Sequence, residues 1–355
     1  MTTPATVVAA DVGGTNIKFA LGECAGPDCR IVKLSVYRSC DFATFDAAVA
    51  AFLREADVEP FARQVAGACF AVAGPVEHGT ARLTNLTWRI DERELARVFA
   101  IPRVKVINDF AAAGYGVERL PADALLTLQA GTPLEGADRI VIGAGTGLGV
   151  CWLTRDERGT CVHASEGGHS DFAPVDALQD ELLRHLRRKF GHVSSERVLS
   201  GAGLPRIVEF LEEITGEAAS AALHEAMAAG DPARAVTHFA LERRDALAMR
   251  ALDLFVAAYG AFAGNIALIA LAHGGVYIAG GIAPKIAAKL QDGTFMRAFR
   301  AKGRFDTMLA SIPVYVVMND HAGLLGALAE AARVAGSPFR QPRSKPGSDP
   351  DKAGV

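Results

Sequence analysis

Several short stretches of this chain combine residue types that could do chemistry. The first, Asp11-Val12-Gly13-Gly14-Thr15-Asn16, sets a carboxylate and a hydroxyl around paired glycines. Glycines at a tight turn accept positive φ and leave backbone N–H groups uncovered, so a phosphate can approach them. Asp11 would then hold a Mg²⁺ ion through water, and Thr15 would donate to a phosphate oxygen. An ordinary hairpin explains these residues equally well, because Gly-Gly turns are common. The second stretch, Gly143-Ala144-Gly145-Thr146-Gly147-Leu148-Gly149, holds four glycines in seven residues. It is not GxGxxG, since Leu148 stands where the last glycine would fall, and no GxxxxGKS/T occurs, so Rossmann dehydrogenases and P-loop nucleotidases lose ground. The third, Val276-Tyr277-Ile278-Ala279-Gly280-Gly281-Ile282, runs from an apolar strand through paired glycines, a geometry that lets a flat base or a phosphate lie against the backbone.

Asn108-Asp109 closes an apolar strand and opens a helix. Both residue types are favoured N-caps, and on spacing alone the cap is the preferred reading. The competing one is a carboxylate at the carboxyl end of a parallel strand, where open α/β sheets bind ligands. Glu166-Gly167-Gly168-His169 has ExxH spacing, but Gly-Gly disfavours a helix and there is one copy only, so a di-iron site is disfavoured. A loop offering an acceptor and a donor-acceptor to a polyol fits better. Glu196 follows Ser194-Ser195 at a helix start, where the helix dipole alone would explain it. The run Arg184, Arg187, Arg188, Lys189 reads as a solvated helix end.

The elements that position these residues follow from hydrophobic pattern. Residues 6–22 read strand, glycine turn, strand, and 31–37 alternates as a third strand. Residues 46–54 and 92–99 have helical spacing, while 65–72 and 104–107 are apolar runs expected of buried parallel strands. The pattern restarts with strands at 139–142, 150–153 and 161–163. Helices are expected at 176–190, 195–210, 219–229 and 233–272, and late strands at 276–279 and 314–318. Strand–helix alternation makes an α/β chain, and each half opens with a glycine hairpin, which reads as an architectural duplication.

With 355 residues the chain is long enough for two domains, and 50% hydrophobic against 22% charged residues is ordinary for a globular protein. Lys plus Arg is 37 and Asp plus Glu 40, a net charge of −3, so no general attraction to nucleic acid or anionic membranes is expected. Residues 254–284 carry no charged side chain and would span a bilayer by length, yet Asn265, His273 and the Gly274-Gly275 break point to a core helix, a turn and a strand. Six cysteines form no disulfide framework and no CxxC pair; Cys24 and Cys29 share a short Gly-Pro segment on which a local bridge is conceivable but disfavoured. The N-terminus lacks a signal-peptide pattern, and the expected compartment is the cytoplasm. From Gly336 onward a Pro-rich tail is expected to be disordered.

Taken together, the stretches resemble the bacterial-type glucokinase family, within the superfamily of actin-like ATPases and hexokinases. The resemblance rests on DVGGTN (11–16), AGPVEHGTARLTNLTW (73–88), INDFAA (107–112), GAGTGLGV (143–150), SEGGHSDFAP (165–174), ERVLSGAGL (196–204), GGVYIAGGIAP (274–284), KGRF (302–305) and GLLGA (323–327). The fifth and sixth are more specific than the glycine turns, which the whole superfamily shares. The zinc cysteines and the N-terminal helix-turn-helix of the related repressor and sugar-kinase group are absent from this sequence.

The resemblance implies a two-lobed α/β fold of the actin-like, ribonuclease H-like kind, with a mixed sheet and flanking helices in each lobe and a cleft between them. The small lobe would span 1–115, completed by a C-terminal helix at about 320–335; the large lobe would span 116–319, with the tail at 336–355. It implies ATP- and Mg²⁺-dependent phosphorylation of the glucose 6-hydroxyl by a homodimer. Asp109 matches the general base, overturning the cap-first reading, and Asn108, Asp109, Glu166, His169 and Glu196 match sugar-binding residues. Ala10, Asp11, Val12, Gly13, Gly14 and Thr15 match the first phosphate loop, Gly145 and Thr146 the second, and Gly280 and Gly281 the adenosine element. The alternatives are a related kinase of fructose, mannose or glucosamine, and a non-catalytic sugar sensor, which would keep the polar quartet without needing Asp109.

Overall fold

The computed structural model describes residues 4–25, 28–83, 86–157 and 159–336. The expected tail lies outside these residues from 337 onward, as do positions 84 and 85 of the 73–88 stretch.

Two antiparallel hairpins seed two sheets of matching order. β1 (Ala5–Val12) pairs with β2 (Asn16–Ala25), which pairs in turn with β3 (Asp28–Arg38), while the other edge of β1 takes β4 (Val65–Val72) in parallel. A small ribbon of β5 (Val76–Glu77), β6 (Thr80–Arg82) and β7 (Arg89–Asp91) follows, and β8 (Val104–Asn108) then completes the first sheet beside β4. Its order is β3-β2-β1-β4-β8. The second sheet comprises β9 (Leu125–Gln129), β10 (Arg139–Ala144), β11 (Leu148–Asp156), β12 (Gly159–Ser165), β13 (Gly275–Ala279) and β14 (Val314–Val317). Its order, β12-β11-β10-β13-β14-β9, repeats the first and adds an antiparallel edge strand. The duplication inferred from the glycine hairpins is therefore present at the level of topology.

β1 is apolar from Val7 to Ala10 because both of its faces are covered there. Val8, Ala10 and Val12 point into an aromatic core with Phe19, Phe45, Phe52 and Phe70. Val7 and Ala9 point the other way, onto Leu324, Ala327, Leu328 and Ala331 of the C-terminal helix, Ala322–Gly336. The long helix Ala246–Ala270 has the length and apolarity to cross a bilayer, but Leu252, Phe255, Val256, Tyr259 and Ala263 bury it in the core behind the second sheet.

Three expectations need correction. The helix read over 195–210 is two pieces, Ser195–Val198 and Gly203–Thr215, because the intervening segment turns to let Gly201 N–H donate to Gly145 O at 2.8 Å. The helix read over 233–272 is likewise interrupted: Pro232–His238 passes through a wide turn at Phe239–Arg243, and Asp245 caps a fresh helix by accepting from Ala248 N–H. Cys24 and Cys29, whose bridge was disfavoured, are disulfide-bonded, since the β2–β3 register sets them directly opposite each other. The short strands β5, β6, β7 and β9 carried no alternation long enough to reveal them.

The helix Asp109–Val117 lies between the two sheets. On one side it meets the C-terminal helix at backbone distance: a Cβ on Gly326 would sit 1.8 Å from Ala112 O, and one on Gly116 would sit 1.9 Å from Ala322 O. The C-terminal helix is held down by Glu330, fully buried, which accepts from Lys105 Nζ at 2.5 Å and from Arg333 Nε and Nη2 at 2.6 and 2.7 Å. These cations hold the Glu330 carboxyl below its ordinary value despite burial.

Alanine normally outranks glycine in a helix by about 1 kcal/mol. At Gly326 the clash reverses that sign, and we expect Gly326→Ala to destabilise the fold by about 2–3 kcal/mol, as overpacking does. Urea unfolding measures it; a neutral or stabilising effect would show that the two helices can separate without cost.

Candidate active site

At the first hairpin turn, Gly13 N–H donates to Asn16 O at 2.9 Å, and Ser39 braces the turn through its N–H to Thr15 O and its hydroxyl to Gly13 O. The turn residues Gly14 and Thr15 are exposed. Asp11 sits at the base, opposite Lys18 in the β1–β2 register and beside the start of the C-terminal helix, where a Cβ on Gly323 would lie 3.4 Å from its Oδ2. Burial raises the Asp11 carboxyl above its ordinary value, against the lowering influence of Lys18 and His321.

Asn108 and Asp109 occupy the join between β8 and the helix Asp109–Val117. Asn108 caps that helix, its Oδ1 accepting from Phe110 N–H at 2.9 Å and Ala111 N–H at 3.2 Å, while its Nδ2 donates to Gly74 O at 3.1 Å. The cap thus belongs to Asn108, while Asp109 Oδ1 accepts from Phe110 N–H. Burial first, then the charges of Asp11 and Glu166, push its carboxyl up to about 6, with the Phe110 N–H opposing them.

Phe110, which the sequence did not single out, fixes this join to the second sheet. Its ring lies on the paired glycines Gly143 and Gly149 of β10 and β11, where a Cβ on Gly149 would meet it at 1.9 Å. The buried Cys151 thiol, held protonated by burial, donates to Phe110 O at 3.1 Å.

The second turn is braced from three sides. Tyr259, fully buried on the long helix, accepts from Ala144 N–H and donates to Ile142 O. Gly280, at φ +83°, brings its backbone against Ala144, and Ile282 N–H donates to Ala144 O at 3.2 Å. Glu196 Oε2 accepts from Leu148 N–H at 2.9 Å. A cleft of about 760 Å³ is bounded by Gly145, Thr146, Gly281 and Ile282, with Arg206, Arg234 and Lys285 as its cations. None of these three cations, nor Lys18 opposite Asp11, was singled out in the sequence.

Glu166 and His169 flank a single turn, Gly167–His169, and their side chains are 63% and 58% exposed, so this end of the site is open to solvent. His169 stands between two carboxylates, with Nε2 3.9 Å from Glu166 Oε2 and Nδ1 3.9 Å from Glu196 Oε1. Those separations exceed direct hydrogen bonding and suit bridging hydroxyls. Of the sequence candidates, His169 stands beside both Glu166 and Glu196, Glu196 also reaches the second turn, and Asn108 and Asp109 adjoin at the start of one helix. Gly145, Thr146 and Gly281 line the 760 Å³ cavity, and Gly280 supports the second turn.

A sequence profile describing glucokinases matches residues 8–334. The glucokinase of a Nostoc species is 42% identical over 92% of this chain and 99% of its own, and that of Caulobacter vibrioides 39% identical over 89% and 92%. The crystal structure of a glucokinase from an Antarctic psychrotroph superposes with a TM-score of 0.80, at 31% identity over 94% of this chain and all of that one. A more distant fold relative, a Streptomyces griseus glucokinase solved with glucose and AMPPNP, has a TM-score of 0.61 at 22% identity over 93% of this chain and 100% of its own.

The raised Asp109 value has a consequence for stability. Its ordinary value is 3.8, so between pH 3.8 and about 6 the folded chain keeps a proton that the unfolded chain has released. Stability is fully present below that window and falls as pH rises through it, by no more than about 3 kcal/mol. We expect Asp109→Asn, which cannot ionise, to be more stable than the parent at pH 7.5 and close to it at pH 4. Denaturant unfolding at both pH values reads the difference; an Asn variant less stable at pH 7.5 would contradict the assigned environment.

Proposed function

The chain belongs to the glucokinase family, and we propose that its cleft carries out that family's reaction, transfer of the γ-phosphoryl group of ATP to O6 of D-glucose, with Asp109 as general base. The observation that carries this reading is the place of Asp109 at the first residue of the helix that Asn108 caps and Phe110 keys to the second sheet, its carboxyl raised first by burial and then by the charges of Asp11 and Glu166. Glu196 supports it by touching both that cluster and the second turn.

Phosphoryl transfer asks little covalent chemistry of a protein; positioning and charge stabilisation dominate. Asp109 accepts the O6 proton as the new O6–P bond forms and the bond to the departing diphosphate oxygen breaks. A carboxyl near 6 is ionised at neutral pH yet more basic than a solvated one, and such general bases contribute roughly 10²–10⁴-fold. Glu166, His169, Glu196 and the second Nδ2 hydrogen of Asn108 offer partners for the other hydroxyls, and a sugar lacking one leaves a polar group unpaired. The first loop, Ala10 to Thr15, and the second, Gly145-Thr146, receive the phosphates, and Gly280-Gly281 with the 760 Å³ cleft receives the adenosine.

Mg²⁺ characteristically takes one or two carboxylates together with phosphates and water, and Asp11 supplies an oxygen donor beside the first turn. When bound, the ion supplies positive charge against the phosphates. We take residues 1–115 with the C-terminal helix as one lobe and 116–319 as the other. The exposure of Glu166 and His169 supports an open cleft that the sugar closes. The enzyme on this reading is cytoplasmic and homodimeric.

In a coupled assay with Mg-ATP and glucose, Asp109→Ala should lower kcat about 10²–10⁴-fold with glucose binding largely kept. Turnover only with fructose, mannose or glucosamine would correct the substrate; glucose binding without turnover on any hexose would make the chain a sensor. For the wild type, kcat/KM should rise with pH through an acid limb near 6, as Asp109 loses its proton. Water is also a hydroxyl nucleophile, so ATP hydrolysis without sugar should run far below the kinase rate; equal rates would rule out sugar-driven closure.

A further inference from the structure

A cavity of about 640 Å³ opens at the opposite end of the helix that begins with Asp109. Its walls come from elements that pack against both sheets: Tyr115 and Arg119 from that helix and the residues after it, Arg139 from β10, Arg155 and Thr160 from the β11–β12 hairpin, and Arg333 from the C-terminal helix. Four arginines face two glutamates. Glu118 is engaged by Arg139 at 2.8 Å, and Glu330 by Arg333 and Lys105. Arg119 and Arg155 are exposed and have no carboxylate partner among the described residues. The cavity therefore carries excess positive charge, with two uncommitted guanidinium groups on different walls.

Guanidinium groups match phosphate oxygens through planar, paired donors, and clusters of them are how proteins recognise phosphorylated ligands. The volume lies in the range of small-molecule sites. Tyr115, kept neutral by burial, and Thr160 add hydroxyls of the kind that orient a ligand body. We propose that this cavity binds a small phosphorylated metabolite carrying at least two negative charges, and that its occupancy alters the affinity of the catalytic cleft for sugar. The physical route is short. The ligand would touch the C-terminal end of the helix whose first residue is Asp109, and also the C-terminal helix, whose first turn adjoins Asp11. A ligand spanning Arg333 on one side and Arg155 on the other favours one spacing of the two sheets, and binding coupled in this way is reciprocal.

The test uses the full chain with glucose and AMPPNP-Mg saturating the catalytic cleft. Calorimetric titration with fructose 1,6-bisphosphate as the probe should show one saturable site, weakened about tenfold or more in the Arg119→Gln/Arg155→Gln variant, as the loss of charge-assisted hydrogen bonds requires. Without the probe, the variant should keep the wild-type kcat and KM, because both side chains are exposed and remote from the cleft. With it, the glucose KM of the wild type should shift and that of the variant should not. Absence of saturable binding, or equal affinity in the variant, overturns the site. Inorganic phosphate binding as tightly as the bisphosphate overturns the assignment to a metabolite ester, and an unmoved glucose KM overturns the coupling. The binding arm requires no turnover, so it fails independently of the kinase reading.

Discussion

The close approach of two helices sets the geometry of everything else. The helix Asp109–Val117 and the C-terminal helix meet backbone to backbone, with no side chain between Gly326 and the Ala112 carbonyl or between Gly116 and Ala322. That contact lets a segment from the far end of the chain cover the N-terminal sheet, and it leaves the helix with no freedom to slide. On its other side the same helix is keyed into the second sheet by the Phe110 ring on Gly143 and Gly149. Asp109 sits at the first residue of an element gripped from both sides, which is what a reactive carboxyl requires if its position is to be held within a fraction of an ångström.

Electrostatics at the cleft run in the opposite direction from packing. Burial disfavours ionisation of both Asp11 and Asp109, and at Asp109 the charges of Asp11 and Glu166 add to it. The fold tolerates this because nearby groups offset part of it: Lys18 and His321 beside Asp11, and the Phe110 N–H beside Asp109. The remaining strain is a raised proton affinity at Asp109, the property the proposed reaction uses. Glu330 presents the contrasting case: a fully buried carboxylate held ionised by two cations, serving to anchor the C-terminal helix rather than to react.

The two sheets share the order of their first five strands, and each presents a glycine turn at the same place, between its first two antiparallel strands. Their turns are nevertheless braced differently. The first is tied by Ser39 from the following loop, the second by Tyr259, Glu196 and the Gly280 backbone. Glu196 is the more informative brace, since the same carboxylate approaches His169 at 3.9 Å. A group bound by Glu196 and His169 is thereby within one side chain of the second turn.

Much of the strand framework was legible in local pattern, because a strand buried on both faces, such as Val65–Val72, has no alternative to a continuous apolar run. The helix start at Asp109 was legible from the cap types Asn108 and Asp109, and the helices at 92–99 and 176–190 from their local pattern. Asp11, Asn108, Asp109, Glu166, His169 and Glu196 were legible as candidates only through the family resemblance, since hairpin, cap and helix-dipole readings accounted for several of them one at a time. Three-dimensional packing decided the rest. Which of Asn108 and Asp109 would cap the helix was ambiguous in sequence, both being good caps, and was resolved by the Gly74 carbonyl that holds the Asn108 amide. The break at Leu199 to Ala202 depends on a hydrogen bond from Gly201 to a hairpin more than fifty residues earlier, and no local propensity encodes such a partner. Phe110 and Tyr259 read as ordinary apolar residues until the glycine pair and the Ala144 amide that receive them are in place. The arginine-lined cavity is the extreme case: its walls come from segments spread between residues 115 and 336, and only folding brings their charges together.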